Sequence, residues 1–289
     1  MHPAPSIIFF TTLSGLGFGM LTFLGLDFPA PRGWAAFWLF LLAYALAVGG
    51  LLSSTFHLGH PERALKAFTQ WRSSWLSREA WFAVAALGIM GIYAIGLVFF
   101  DTRLNALGIL GGLLSLGTVF ATSMIYTQMR TVPRWNHWGT PILFLAYAIV
   151  GGALLTGRVE LARAILPLLL LLQIFAWVDQ TRHEEADPTN VGTATGLDER
   201  GTVRAFEAPH TGENYLTKEM VFRIGRKHSR VLKGVTLLTG MGLPAVLLFL
   251  PTSFAIIAFA VLLHLFGVLV QRWLFFAEAR HVVSFYYGH

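Results

Sequence analysis

The chain has 289 residues, of which 55% are hydrophobic and only 12% charged, with a mean hydropathy of +0.62. Soluble domains carry about 25% charged residues, so this composition excludes an ordinary globular enzyme and points to the lipid bilayer. The net charge of +6 is what anionic lipid and the positive-inside rule ask for, and no nucleic-acid partner is implied. There is no cysteine, so disulfides, thiolate chemistry and cysteine-ligated iron–sulfur clusters are excluded from this chain.

Apolar runs of span length fall at residues 7–26, 34–56, 80–100, 105–126, 139–156, 161–178, 231–250 and 254–277. They do not alternate with the period of two that barrel strands require. The expected fold is therefore all-α: one polytopic membrane domain over residues 1–289, a bundle of about eight transmembrane helices. The first run lacks a basic flank and a small-residue cleavage site, so it is expected to stay as a span. Gly15 with Gly19, and Gly108 with Gly112, have the spacing of close helix contacts.

An even number of spans puts both termini on one side. With the loops 57–79, 127–138 and 179–230, that side holds all but four of the 21 Lys and Arg residues; the four are Arg32, Arg103, Arg158 and Arg163. The expected location is a bacterial inner membrane, with the termini and long loops cytoplasmic.

Two of these loops differ from simple connectors. In the first, Pro61 suits the opening turn of a short helix. Ala64, Leu65, Ala67 and Phe68 then form an apolar side, and Arg63 and Lys66 a basic one. This predicts a helix lying in the interface, followed by Trp71, Trp75 and Trp81 at headgroup depth. The long 179–230 loop starts polar and rich in Gly and Thr, which predicts an extended stretch. Its end is basic and amphipathic, with Lys218, Arg223, Arg226 and Lys227, and suits either lipid headgroups or a peripheral subunit, as do Arg63 and Lys66.

Ionisable residues inside a bilayer are costly and mark pathways. The spans read as nearly free of them, with His264 alone at mid-span beside the neutral Gln173. Instead they gather at one face. His57 ends the second span and Glu79 opens the third, with His60, Glu62, Arg63, Arg72 and Arg78 between. An imidazole and a carboxyl at a low-dielectric edge make an acid–base pair able to move the two protons of a quinol. The same residues would also serve as a helix cap and an ion pair.

The stretch His57-Leu58-Gly59-His60-Pro61-Glu62-Arg63-Ala64, followed by Trp75-Leu76-Ser77-Arg78-Glu79, resembles the anchor subunit of the dimethyl sulfoxide reductase family. So do His2-Pro3-Ala4, the segment Phe9-Phe10-Thr11-Thr12-Leu13-Ser14-Gly15, and Glu213-Asn214-Tyr215-Leu216-Thr217-Lys218-Glu219. The resemblance implies eight spans without haem or metal. It also implies iron–sulfur and molybdopterin catalytic subunits as partners, and exchange of electrons with menaquinone or ubiquinone. It assigns the quinone-site histidine to His57, the functional glutamate to Glu79 and the motif arginine to Arg63. Trp71, Trp75 and Trp81 then stand where they could wall a ring pocket or simply anchor the loop. His60 and Glu62 depart from the family pattern and add two candidate proton carriers. The opening is similar to the anchors of sulfite-oxidising complexes, which favours that reaction slightly over S- or N-oxide reduction.

Rival classes lack their signatures. A secondary transporter needs an inverted repeat and midplane polar sites. A haem-b anchor needs two facing histidines, and His57 with His264 is the only pair on offer. A zinc hydrolase needs a HExxH motif, which is absent.

Overall fold

The computed structural model describes residues 2–27, 30–57, 61–187, 189–204, 206–207, 212, 228–251 and 253–287; at 57, 61, 62 and 287 only the main chain is described. All regular structure among these residues is helical. The long helices are Pro5–Gly25 (α1), Gly33–Ser53 (α2), Trp75–Phe99 (α3), Asn105–Thr127 (α4), Gly139–Leu155 (α5), Val159–Glu185 (α6), Ser229–Leu247 (α7) and Phe254–Ala277 (α8). Seven of them are long and apolar enough to cross a membrane. The eighth, α5, has 17 residues, about 26 Å at the α-helical rise, and is the short span that the sequence marks there. Large apolar side chains such as Trp34, Trp38, Leu168, Leu171 and Leu262 point outward, as a lipid-facing surface requires.

Helix α1 lies at the centre, packed against α2, α4, α5 and α8. Small residues let the backbones approach. A side chain at Gly17 would strike the main chain of Ala43 and Ala47 on α2, one at Gly19 that of Ala148 on α5, and one at Gly108 that of Gly25. Gly15, expected to pair with Gly19, instead faces open space. The contact with α2 falls two residues on, at Gly17.

Helix α7 contains a π turn at Leu238–Gly242. Pro244 lacks the N–H that would bond to Gly240, four residues back, and its ring would crowd that carbonyl. His264 Nδ1 on α8 donates to the freed Gly240 oxygen at 2.5 Å. His264 is thus a buried interhelical bridge.

The long loop departs from expectation. Helix α6 continues to Glu185, because Gln180, Arg182, Glu184 and Glu185 are polar but good helix formers. Val191–Thr195 forms a short helix capped reciprocally by Asn190 and Thr193. At the same face Arg134 donates to Glu184 (2.9 Å) and to Glu278 (2.8 Å), and Lys233 reaches Glu278 at 2.8 Å. This clamp joins the 128–138 segment to α6, α7 and the end of α8.

His137 in that segment is buried. Its Nδ1 accepts from the Gly139 N–H (3.0 Å), so its proton sits on Nε2, facing Asp179 at 3.2 Å. A second proton would set two donors against each other, and burial holds the imidazole below its ordinary pKa despite Asp179. Below about pH 6.5, the ordinary histidine value, the unfolded chain takes a proton that the folded chain resists, so stability falls as pH drops. His137→Gln is expected to shrink the loss of thermal midpoint between pH 7 and 5. An unchanged slope would remove His137 from that titration.

Candidate functional site

The loop joining α2 to α3 is built from two 3-10 turns, Ser54–His57 and Pro61–Phe68. The second begins at the proline, as expected for the interfacial helix, with Ala64, Ala67 and Phe68 half-buried and Leu65, Arg63 and Lys66 exposed. Arg78 pins the following segment. Its Nε donates to the Trp71 carbonyl (3.0 Å), its Nη2 to that of Arg72 (2.7 Å), and the guanidinium lies 4.3 Å over the Trp75 ring. Trp81 Nε1 donates to the Phe68 carbonyl at 3.1 Å, and the two rings meet edge to face.

Beneath this loop is a groove of about 490 Å³ lined by Trp71, Arg78, Trp81, Phe82, Ala85 and Leu114. Two indoles, a phenyl ring and aliphatic carbons suit a flat, apolar ring, and one guanidinium supplies a donor. Trp71 takes the wall position expected of it. Trp75 does not line the groove but meets Phe120 of α4 edge-on, 5.8 Å between centroids. Trp81, expected with Trp71 and Trp75 as a wall residue, does line the groove.

Helix α3 starts at Trp75, five residues before the expected start of the span, so Glu79 sits in its second turn. The spacing 78, 81, 82, 85 forms the groove face. Glu79, Ala83, Ala86, Met90 and Tyr93 form the adjacent buried face. The Glu79 carboxyl is 4% exposed and lies behind the groove wall, hydrogen-bonded to the Thr122 hydroxyl of α4. That hydroxyl also lies 3.0 Å from the Thr118 carbonyl. One hydroxyl proton cannot serve both oxygens. When Thr122 gives it to Thr118, the Glu79 contact requires a proton on the carboxyl; when Thr122 gives it to Glu79, the carboxyl can be ionised.

A second buried group was not expected. Arg272, five residues from the end of α8, is fully enclosed, a buried charge outside the mid-span zone where the sequence marked only His264. Its guanidinium lies 3.6 Å over the Phe144 ring and 5.5 Å from that of Tyr147. The signal was the basic residue itself, with apolar residues 268–270 before it and 273–277 after it. Tyr126, at the end of α4, packs edge to face against Trp135, Phe275 and Phe276. Deeper in the bundle, Gln173 accepts from the Tyr147 hydroxyl at 2.8 Å.

The remaining expected positions divide simply. His57 is the last residue of its 3-10 turn and Glu62 lies in the next, both described by main chain alone. His60, Lys218, Arg223, Arg226 and Lys227 lie outside the described residues.

The chain is similar to known proteins over nearly its whole length. The family model described as DMSO reductase anchor subunit (DmsC) matches residues 1–277. A sulfite dehydrogenase subunit of Allochromatium vinosum is 33% identical over 331 aligned positions, which cover 99% of each chain. No solved structure matches the chain.

Proposed function

The chain belongs to the DMSO reductase anchor subunit family, and from that premise we propose that it is the quinone-reactive anchor of a sulfite-oxidising complex. Its partners on the loop face are an iron–sulfur subunit and a molybdopterin catalytic subunit. The complex sits in a bacterial cytoplasmic membrane, with the basic loops and both termini cytoplasmic. Menaquinone or ubiquinone is the exchanged substrate.

The observation that carries this reading is the aromatic groove under the 57–79 loop with a buried carboxyl directly behind its wall. Sulfite and water yield sulfate, two protons and two electrons at the catalytic partner. A quinone takes up two electrons and two protons to become quinol. With no cysteine to hold a cluster in this chain, the electrons must arrive from a cluster in a neighbouring subunit. What this chain contributes is the ring's position, a hydrogen-bond donor to a ring oxygen, and protons. Trp71 and Trp81 hold the ring, His57 serves one ring oxygen, and Glu79 supplies protons from behind the wall. Exposed Arg63 and Lys66 on the same loop offer charge to a docked partner. Similarity to a sulfite dehydrogenase subunit supports the oxidative direction.

The test is His57→Ala in the intact complex. Sulfite oxidation with decylubiquinone as acceptor is expected to fall at least about 100-fold, the scale of a lost acid–base group. Sulfite oxidation with a soluble dye, which takes electrons from the partners directly, stays at the wild-type rate. Equal loss of both activities would mean an assembly defect, and loss of neither would remove His57 from the site.

A further inference from the structure

Arg78 is the charged side chain among those that line the groove, and the bonds already described leave part of it unspent. A guanidinium has five N–H donors in a fixed plane and keeps its charge under all ordinary conditions. Nε is used on the Trp71 carbonyl and one Nη2 proton on that of Arg72. The second Nη2 proton and both Nη1 protons have no partner among the described residues. The other N–H groups of the groove are weaker candidates. Trp81 spends its indole N–H on the Phe68 carbonyl, and Trp71 offers a neutral donor on the exposed outer wall. Phe82, Ala85 and Leu114 contribute carbon alone.

The place of Arg78 is fixed from two sides. It follows Trp75 by three residues in the first turn of α3, so the two side chains meet on one helix face, and the guanidinium lies 4.3 Å over the indole. The two carbonyl bonds hold it from the loop. The same bonds hold the main chain of Trp71, whose ring is covered by the Arg72 guanidinium at 5.4 Å. Wall and donor are therefore set before any ring arrives, which lowers the ordering cost of binding. A fixed cation beside an otherwise apolar groove favours an occupant that brings a hydrogen-bond acceptor to that point. A lipid acyl chain fills the carbon surface equally well but brings none.

We propose that Arg78 is a binding residue that donates to the quinone ring oxygen that His57 does not serve, while its other N–H groups latch Trp71 in place as the wall. The role rests on the function proposed above and deepens it, by assigning the second side of the ring. Because the guanidinium keeps its proton, Arg78 holds this oxygen without protonating it. A charge-assisted bond of this kind is about twice as strong as a neutral one.

The experiment measures decylubiquinone binding to the full-length chain in lipid nanodiscs, by quenching of tryptophan emission and by the infrared bands of the ring carbonyls. The share of the quenching that belongs to the groove is identified by its loss in Trp81→Phe. Arg78→Met keeps the bulk of the side chain and removes every donor. It is expected to raise the Kd at least about tenfold, the scale of one hydrogen bond to a charged group, and to return a carbonyl band that lies low in the wild type to its position in free lipid. Arg78→Lys restores a cationic donor but cannot bridge the two loop carbonyls as the guanidinium does, so it should regain part of the affinity and of the band shift. A wild-type Kd in Arg78→Met would overturn the proposal. So would weaker binding with the carbonyl band unmoved, or an Arg78→Lys no better than Arg78→Met, since either would leave Arg78 only the latch. Absence of saturable quenching and of any shifted carbonyl band in the wild type would instead bring down the quinone reading itself.

Discussion

Replacing Glu79 with glutamine is expected to lower quinone-linked sulfite oxidation by about two to three orders of magnitude while leaving the complex assembled. The side chain is 4% exposed and hydrogen-bonds to the Thr122 hydroxyl, so an amide of nearly equal volume fits without a cavity. Glutamine can accept from Thr122 or donate to it, but cannot pass on a proton. The loss should appear in the maximal rate more than in the apparent affinity for decylubiquinone, because the carboxyl lies behind the groove wall and not in it. Dye-linked turnover of the same preparation provides the control. A rise in apparent KM with an unchanged maximal rate would mean that Glu79 shapes the groove without moving protons. Thr122→Val separates these roles further. It strips the carboxyl of its partner but keeps the proton carrier, so it should cost less than Glu79→Gln.

Much of this was legible in the residues. Long apolar runs locate the spans because lipid demands internally bonded helices of fixed length, and the asymmetry of Lys and Arg gathers the basic loops on one face. The loop from His57 to Glu79 was legible as a candidate site because one hairpin must bring both ends to the same face. Rotational phase was not legible. A hydropathy window averages around the helix, so it cannot tell Gly17 from Gly15 or an inward Arg272 from one at a lipid-facing edge. The same blindness left Trp71, Trp75 and Trp81 undivided as candidate walls, since the groove face follows only once α3 is seen to begin at Trp75. Pro244 four residues after Gly240 did contain the π turn, as a missing donor opposite a carbonyl, but only His264 across the interface shows what that carbonyl is for. Arg272 was hidden for a simpler reason. A charge close to a predicted helix end reads as a snorkelling residue, and its burial depends on Phe144 and Tyr147 packing over it from α5.

The largest expected loss of stability comes from Arg134→Ala, about 2–4 kcal/mol, a little below the roughly 3–5 kcal/mol for breaking a fully buried pair by removing one partner. Arg134 is only 10% exposed at its side chain and donates to two carboxylates, Glu184 and Glu278, which are themselves 19% and 11% exposed. Truncation leaves Glu184 without its close partner, with Arg280 reaching it only at 4.0 Å, while Glu278 keeps Lys233. For that reason the loss should fall short of the full cost of stranding two charges. The damage is not purely electrostatic, because Arg134 holds the 128–138 segment in place. The neighbouring Trp135 stacks on Phe275 at 5.4 Å and donates to its carbonyl at 2.9 Å, contacts that loosen once the clamp is gone. Lys233→Ala should cost less, about 0.5–1 kcal/mol, since its side chain is 28% exposed and Arg134 still neutralises Glu278. Thermal midpoints of the two variants and of the double variant in nanodiscs decide the matter. A clamp predicts a double variant worse than the sum of the singles, because only then does Glu278 lose both its cations. Simple additivity, or equal losses for the two singles, would show that the ion pairs are incidental and that the aromatic contacts alone hold this face together.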